Sequence, residues 1–182
     1  MGQDKALMLF HGTTLLEHSI RTLQSAVQPV VVACGHSDRY SLPGIRCISD
    51  DVQDCGPLGG ILAAMEESAA DTVLVLACDL PFVTPDLLLM LSAAPSGESI
   101  ALPAAGGNLQ PLCGRYPRSL KPALRRFLAD GKRKVLDFVE SQNHHYIVIT
   151  PDHPLFRPSL LANINTQEEL AQAEAAMARN ES

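Results

Sequence analysis

Val73-Leu74-Val75-Leu76-Ala77-Cys78-Asp79-Leu80-Pro81-Phe82 is the stretch on which the fold turns. Its first five residues are apolar without alternation, the pattern of a strand buried on both faces. The run stops at an aspartate and a Leu-Pro pair. Thr84-Pro85 then supplies an N-cap and a proline at the first helical position, with Leu87, Leu88 and Leu91 behind it. Strand, polar turn and helix follow one another here, and the same alternation extends in both directions.

Upstream, Val30-Val31-Val32-Ala33 is a shorter run of the same kind, and Ile45 to Ile48 a weaker one. Thr14-Leu15-Leu16-Glu17 has capping-box spacing. Leu16, Ile20, Leu23 and Val27 then mark one helical stripe, which Gln28-Pro29 ends. Another helix, carrying Leu58, Ile61, Leu62 and Met65, starts just after Gly56-Pro57. Downstream, Ser99 to Leu102 and Leu109 to Tyr116 read as strands, and Pro117 to Ala129 as a helix. A short helix near Val135 to Glu140 and a strand at Tyr146 to Thr150 come next. Thr166-Gln167-Glu168-Glu169 is a second capping box, opening a helix rich in Ala and Glu. The alternation predicts a three-layer α/β fold with a mainly parallel sheet. In such sheets ligands sit beyond the carboxyl ends of the strands.

The 182 residues suit one domain, and 46% hydrophobic against 19% charged residues fits a packed core rather than disorder. Fourteen Lys and Arg against twenty Asp and Glu leave a net charge of −6, which argues against a nucleic-acid backbone as partner. No apolar run approaches the ~18 residues that span a membrane, and Met1-Gly2-Gln3-Asp4-Lys5 lacks a signal-peptide pattern, so a cytoplasmic address is expected. The five cysteines, Cys34, Cys47, Cys55, Cys78 and Cys113, are odd in number and never in C-x-x-C spacing, which disfavours a disulfide framework or a zinc site. His144-His145 would point to opposite faces of a strand, a poor start for a metal site.

Five segments carry candidate chemistry. Met1 to Leu7 sets a glycine and Lys5 ahead of a helix, suited to a phosphate or simply to solvent. Asp50 to Gly60 contains Gly56-Pro57-Leu58-Gly59-Gly60 at the start of a helix. That block either lets a ligand approach free N–H groups or packs the helix tightly on the sheet. Asp79, at the end of the strongest strand, offers a hard oxygen to Mg²⁺, with an Asx turn before Pro81 as the alternative. Gly131-Lys132-Arg133-Lys134 is the dense basic cluster, fit for a polyanion or for a solvated helix end. In Asn163-Ile164-Asn165-Thr166 the two asparagines share a face if extended, unless they make Asx turns.

These segments, taken in order, resemble the molybdenum cofactor guanylyltransferase family of MobA-like nucleotidyltransferases. The matching stretches are MGQDKALM, TTLLEHSI, the VVV strand, an aspartate ahead of CGPLGGI, CDLPFVTPDL, LQPLCGRY, GKRKVLDF and NINTQEEL. The resemblance implies a Rossmann-like nucleotidyltransferase fold over residues 1–182. It also implies transfer of GMP from GTP to the terminal phosphate of molybdopterin, with release of pyrophosphate and formation of a guanine dinucleotide cofactor. Lys5 corresponds to the lysine on the nucleotide phosphates. Asp50, with Gly56, Pro57, Leu58 and Gly59, corresponds to the guanine nucleotide site, and Asp79 to the aspartate that binds Mg²⁺ and nucleotide. Lys132, Arg133, Asn163 and Asn165 fall on the pterin side. GTP, the molybdenum cofactor and its receiving molybdoenzymes or their chaperones are the implied partners, with a monomer as the default state.

The pattern departs from the family twice. A strand and glycine-rich loop, roughly 15–20 residues at usual element lengths, are expected upstream of Met1. Ala33 stands where many members carry an asparagine. The alternatives are a relative using CTP or acting on a sugar phosphate, and a non-catalytic homologue that binds the cofactor.

Overall fold

The computed structural model describes residues 4–35, 40, 42–49, 55–95 and 98–180, with side chains followed to residue 175. A small hairpin of β1 (Leu9–Phe10) and β2 (Thr13–Thr14) leads into α1 (Leu15–Gln24). The capping box forms as spelled: Glu17 N–H donates to Thr14 Oγ1 at 3.1 Å, and Thr14 N–H donates to Glu17 Oε2 at 2.9 Å. Next come β3 (Val31–Ala33), β4 (Arg46–Ile48), α2 (Pro57–Glu67), β5 (Thr72–Leu76) and α3 (Pro85–Ser92). Thr84 caps α3 and Pro85 opens it. The second half contains β6 (Ile100–Ala105), β7 (Asn108–Leu109), β8 (Cys113–Pro117), α4 (Lys121–Ala129), α5 (Val135–Glu140), β9 (His144–Ile149) and α6 (Gln167–Asn180).

The expected strand from Leu109 to Tyr116 is two strands, β7 and β8, parted by a turn at Gln110–Leu112. Pro111, which has no N–H for a ladder, sits in that turn. The expected helix from Pro117 begins with a 3₁₀ turn at Arg118–Leu120. The last strand starts earlier than expected, at His144. There His145 reaches Ser99 Oγ at 3.0 Å while His144 lies against Tyr146, so the paired histidines do diverge.

Three layers follow from alternation along the strands. On β5, Val73 and Val75 face a core built with α2, α4 and α5, where Leu58, Met65, Leu124 and Phe138 are fully buried. Leu74 and Leu76 face the opposite core, filled by Leu87, Leu88 and Leu91 of α3. β6 repeats the division, with Ile100 and Leu102 to the first side and Ala101 and Ala105 to the second. β5 is antiparallel to β8, β8 to β6, and β6 is parallel to β9. β5, β6 and β9 therefore run in one direction, with β8 reversed among them.

The sheet is divided. β3 pairs with β4 in one two-stranded piece, and β5 ends the five-stranded piece. Among the described residues, β3 and β5 each have one edge without a partner strand, and both line a single cavity of about 1340 Å³. Leu74, Val75 and Leu76, expected to be buried on both faces, are accordingly only half-buried. β5 has β8 on one side and, among the described residues, no strand on the other.

Candidate functional site

The turn after β5 is held from several directions. Leu80 N–H donates to Ala77 O at 3.3 Å, and Ala77 N–H donates to Leu112 O at 2.8 Å, fixing the turn to the approach of β8. The His18 ring on α1 lies with Nε2 2.9 Å from Pro81 O and packs edge-on against Phe10. Leu80, Phe82 and Val83 are buried beneath the turn. Asp79 is left half-buried at the carboxyl end of the strand. Burial raises its pKa above the usual carboxylate value, opposed by its own backbone N–H and by the Lys5 ammonium. Burial, ahead of the neighbouring Asp79 charge, pushes the Cys78 thiol up to about 11, as suits a side chain packed against two apolar clusters.

Lys5 lies in a one-turn 3₁₀ segment whose N-cap is Asp4. Asp4 Oδ1 accepts from Ala6 N–H at 3.1 Å and Oδ2 accepts from the Tyr40 hydroxyl at 2.8 Å. The buried Ala6 anchors the turn, leaving Lys5 exposed. Its Nζ donates to Asn165 Oδ1 at 2.6 Å, joining the two ends of the chain.

Asn163-Ile164-Asn165 forms a strap across the Asp79 turn. Ile164 is buried among Met8, Phe10, Leu15 and Phe82, while both asparagines are exposed, the shared face that an extended segment requires. Ile164 N–H donates to Asp79 O at 2.8 Å. Beyond the strap, Asn165 N–H donates to Glu169 Oε2 at 2.7 Å and Glu169 N–H donates to Thr166 Oγ1 at 3.1 Å. Thr166 thus caps α6 as expected, although the glutamate reaches one residue further back than a standard box.

Gln110, in the β7–β8 turn, was not among the expected site residues. Its Nε2 donates to Leu161 O at 2.8 Å and to Asn163 Oδ1 at 2.6 Å. The available sequence signal was a lone amide interrupting an apolar strand pattern immediately before a proline.

The structure therefore brings Lys5, Asp79, Asn163 and Asn165 together and adds Gln110. The other candidates divide. Met1 to Gln3 and the stretch Asp50 to Asp54 lie outside the described residues, Asp50 with them. Gly56 has φ +56° and starts α2, with Pro57 next. Both line the cavity between β3 and β5, beside Ala33. Leu58 is fully buried, and its side chain packs α2 into the core rather than facing a ligand. A Cβ on Gly60 would stand 2.9 Å from Ala33 Cβ, which establishes the helix-packing reading for that glycine. Arg133 Nη1 donates to Leu128 O at 2.7 Å and to Lys132 O at 2.8 Å, capping α4, and the Lys132 ammonium lies 5.3 Å from the Phe127 ring centre. Lys132 and Arg133 are thus engaged at the end of α4.

No group of three or more His, Cys, Asp or Glu side chains able to hold a metal exists among the described residues. Mg²⁺ commonly takes one or two carboxylates and fills its remaining positions from phosphates and water, and the half-buried Asp79 offers one such carboxylate.

Three comparisons bear on what this arrangement does. The model of the MobA-like NTP transferase domain matches residues 1–144. A molybdenum cofactor guanylyltransferase from Bradyrhizobium sp. (strain ORS 278) is 36% identical over 183 residues, covering 95% of this chain and 84% of that protein. Another, from Shewanella halifaxensis, is 32% identical over 181 residues, covering 97% and 88%. Among solved structures, the molybdopterin-guanine dinucleotide biosynthesis protein A of Archaeoglobus fulgidus superposes with a TM-score of 0.77 at 26% identity, over 98% of this chain and 92% of that one.

Proposed function

The chain belongs to the MobA-like NTP transferase family, and from that premise we propose that it transfers GMP from GTP to the terminal phosphate of molybdopterin. A phosphate oxygen of the acceptor attacks the α-phosphorus of GTP. The bond from that phosphorus to the bridging oxygen breaks, pyrophosphate leaves, and the guanine dinucleotide cofactor is formed. The observation that carries the reading is the strap: Lys5, the Asp79 turn and Asn163–Asn165 are joined by direct hydrogen bonds at the carboxyl end of β5.

Phosphoryl chemistry of this kind asks for positioning and charge neutralisation more than for covalent help. Lys5 supplies an ammonium for the nucleotide phosphates. Asp79 would hold Mg²⁺, which when bound neutralises phosphate charge. The N-terminal turn of α2 with Gly56, Pro57, Leu58 and Gly59, together with Asp50, receives the nucleotide. Asn163 and Asn165 face the acceptor, whereas Arg133 is taken up by carbonyls at the end of α4 and Lys132 lies over the Phe127 ring, which speaks against the acceptor role expected for them. The His18–Pro81 contact and the Ile164–Asp79 contact fix the backbone of the turn from which the carboxylate projects, which limits reorganisation when charge develops.

The test is pyrophosphate release with molybdopterin as acceptor and GTP, CTP or ATP as donor. Turnover with GTP at least tenfold above the others is expected. Equal use of all three, or preference for CTP, would overturn the guanine assignment. Nucleotide binding without release would identify a non-catalytic homologue.

A further inference from the structure

The hydrogen bonds of Gln110 fix more than its own position. A backbone carbonyl can only accept, so the 2.8 Å contact to Leu161 O identifies the end of the Gln110 amide that faces it as nitrogen. The second hydrogen of that –NH₂ group points to Asn163 at 2.6 Å, and Asn163 must meet it with its oxygen. The –NH₂ group of Asn163 is thereby left as the outward part of the amide. The same argument runs from the other side of the strap. An ammonium has donors only, so Asn165 meets Lys5 Nζ with Oδ1 at 2.6 Å and keeps its own –NH₂ group for other partners. Between them, the buried Ile164 and its bond to the Asp79 carbonyl prevent the segment from rolling over.

We infer that Gln110 is a positioning residue that sets the hydrogen-bond polarity of the strap, so that Asn163 and Asn165 present amide donors to an oxygen-rich, anionic acceptor. The polarity originates at one backbone carbonyl and passes through Gln110 to Asn163. The nature of the ligand rests on the nucleotidyl-transfer reading above, whereas the relay itself does not. With four amide N–H donors beside Lys5, the strap matches a phosphate group or ring carbonyls and disfavours a ligand that brings its own donors.

Gln110→Glu tests the relay with almost no change of shape. A carboxylate only accepts, so it cannot bond Leu161 O and would turn Asn163 around, placing its oxygen outward. The KM for molybdopterin is expected to rise about 10- to 100-fold, the worth of one hydrogen bond to a charged group. The change in kcat should be smaller, and GTP affinity should move less than ~2-fold. Gln110→Met, which removes the relay without reversing it, should give an intermediate rise and serves if the glutamate variant fails to fold. Because the effect passes through Asn163, adding Gln110→Glu to Asn163→Ala should bring little further loss.

A second readout needs no turnover. Inorganic phosphate titrated into the full chain should shift the side-chain amide resonances of Asn163 and Asn165, and the Asn163 response should vanish in Gln110→Glu. That result without activity on molybdopterin would keep the relay and overturn the substrate reading. An unchanged Asn163 response, or additive losses in the double variant, would overturn the relay.

Discussion

Gly114 in β8 lies opposite Val75 of β5 and against β6, in the ladder that carries the Asp79 turn. A Cβ added there would stand 2.3 Å from Leu102 Cδ2 and 2.8 Å from the Ala101 carbonyl oxygen. The first distance is more than an ångström inside the ~3.5–4.0 Å optimum for carbon contacts. Leu102 is fully buried, so its side chain has no open space to swing into, and Ala101 belongs to the paired backbone of β6. Overpacking of this kind costs about 1–3 kcal/mol, and contact with both a locked side chain and a carbonyl sets Gly114→Ala near the top of that range. At ~2–4 °C per kcal/mol for a chain of this size, the melting temperature should fall by about 6–12 °C in thermal unfolding followed by circular dichroism.

The two contacts can be separated. Leu102→Ala alone should cost about 2–5 kcal/mol through the cavity it leaves. Combined with Gly114→Ala, it removes the 2.3 Å conflict but not the 2.8 Å one. The double variant should therefore be about 1–2 kcal/mol more stable than the sum of the single losses predicts. Strict additivity, or a Gly114→Ala melting temperature within ~1 °C of the parent, would refute the claim that β8 is held against β6 by the absence of a side chain.

Three further outcomes concern the site. Asp79→Asn should lower turnover about 10²- to 10³-fold, the usual cost of removing one preorganised electrostatic contact. Since burial raises the folded-state pKa of Asp79, the native chain binds this proton more readily than the unfolded one, and stability drains as pH rises through the raised value. The neutral asparagine should therefore melt slightly higher than the parent at pH 7 without divalent metal, and a lower melting temperature would contradict that sign. His18 behaves oppositely: burial depresses its pKa below 6.5, so its contribution is intact above that value and is lost as pH falls through the depressed one. His18→Gln can still donate to the Pro81 carbonyl and should show a shallower loss of melting temperature between pH 7 and pH 5, which an unaltered pH profile would disprove.

What was legible in the sequence was local. The capping groups at Thr14 and Thr84 and the common face of Asn163 and Asn165 are decided by neighbours a few residues away and stand as read, whereas the apolar run into Asp79 is a strand as read but only half-buried. The partners of a strand edge are not local. Nothing in Val31–Ala33 or Thr72–Leu76 states which strand lies beside it, so the half-burial of Leu74 and Leu76 required the structure. Arg133 was ambiguous because a guanidinium serves a phosphate or a helix carbonyl equally well, and only the geometry of α4 shows which it meets here. Gln110 was missed because its partners, Leu161 and Asn163, lie some fifty positions away in sequence. Asp50 falls outside the described residues, and its role stands as proposed.

The bond from Lys5 to Asn165 spans 160 positions of the chain. The core of Leu58, Met65, Leu124 and Phe138 is complete within residues 55–139 and does not include the strap. The candidate site, by contrast, needs residues 163–165 closed onto Asp79 and Lys5. Competence for ligand therefore rests on a long-range closure that this core does not require. Local opening of the strap would remove it while the buried sheet stays shut.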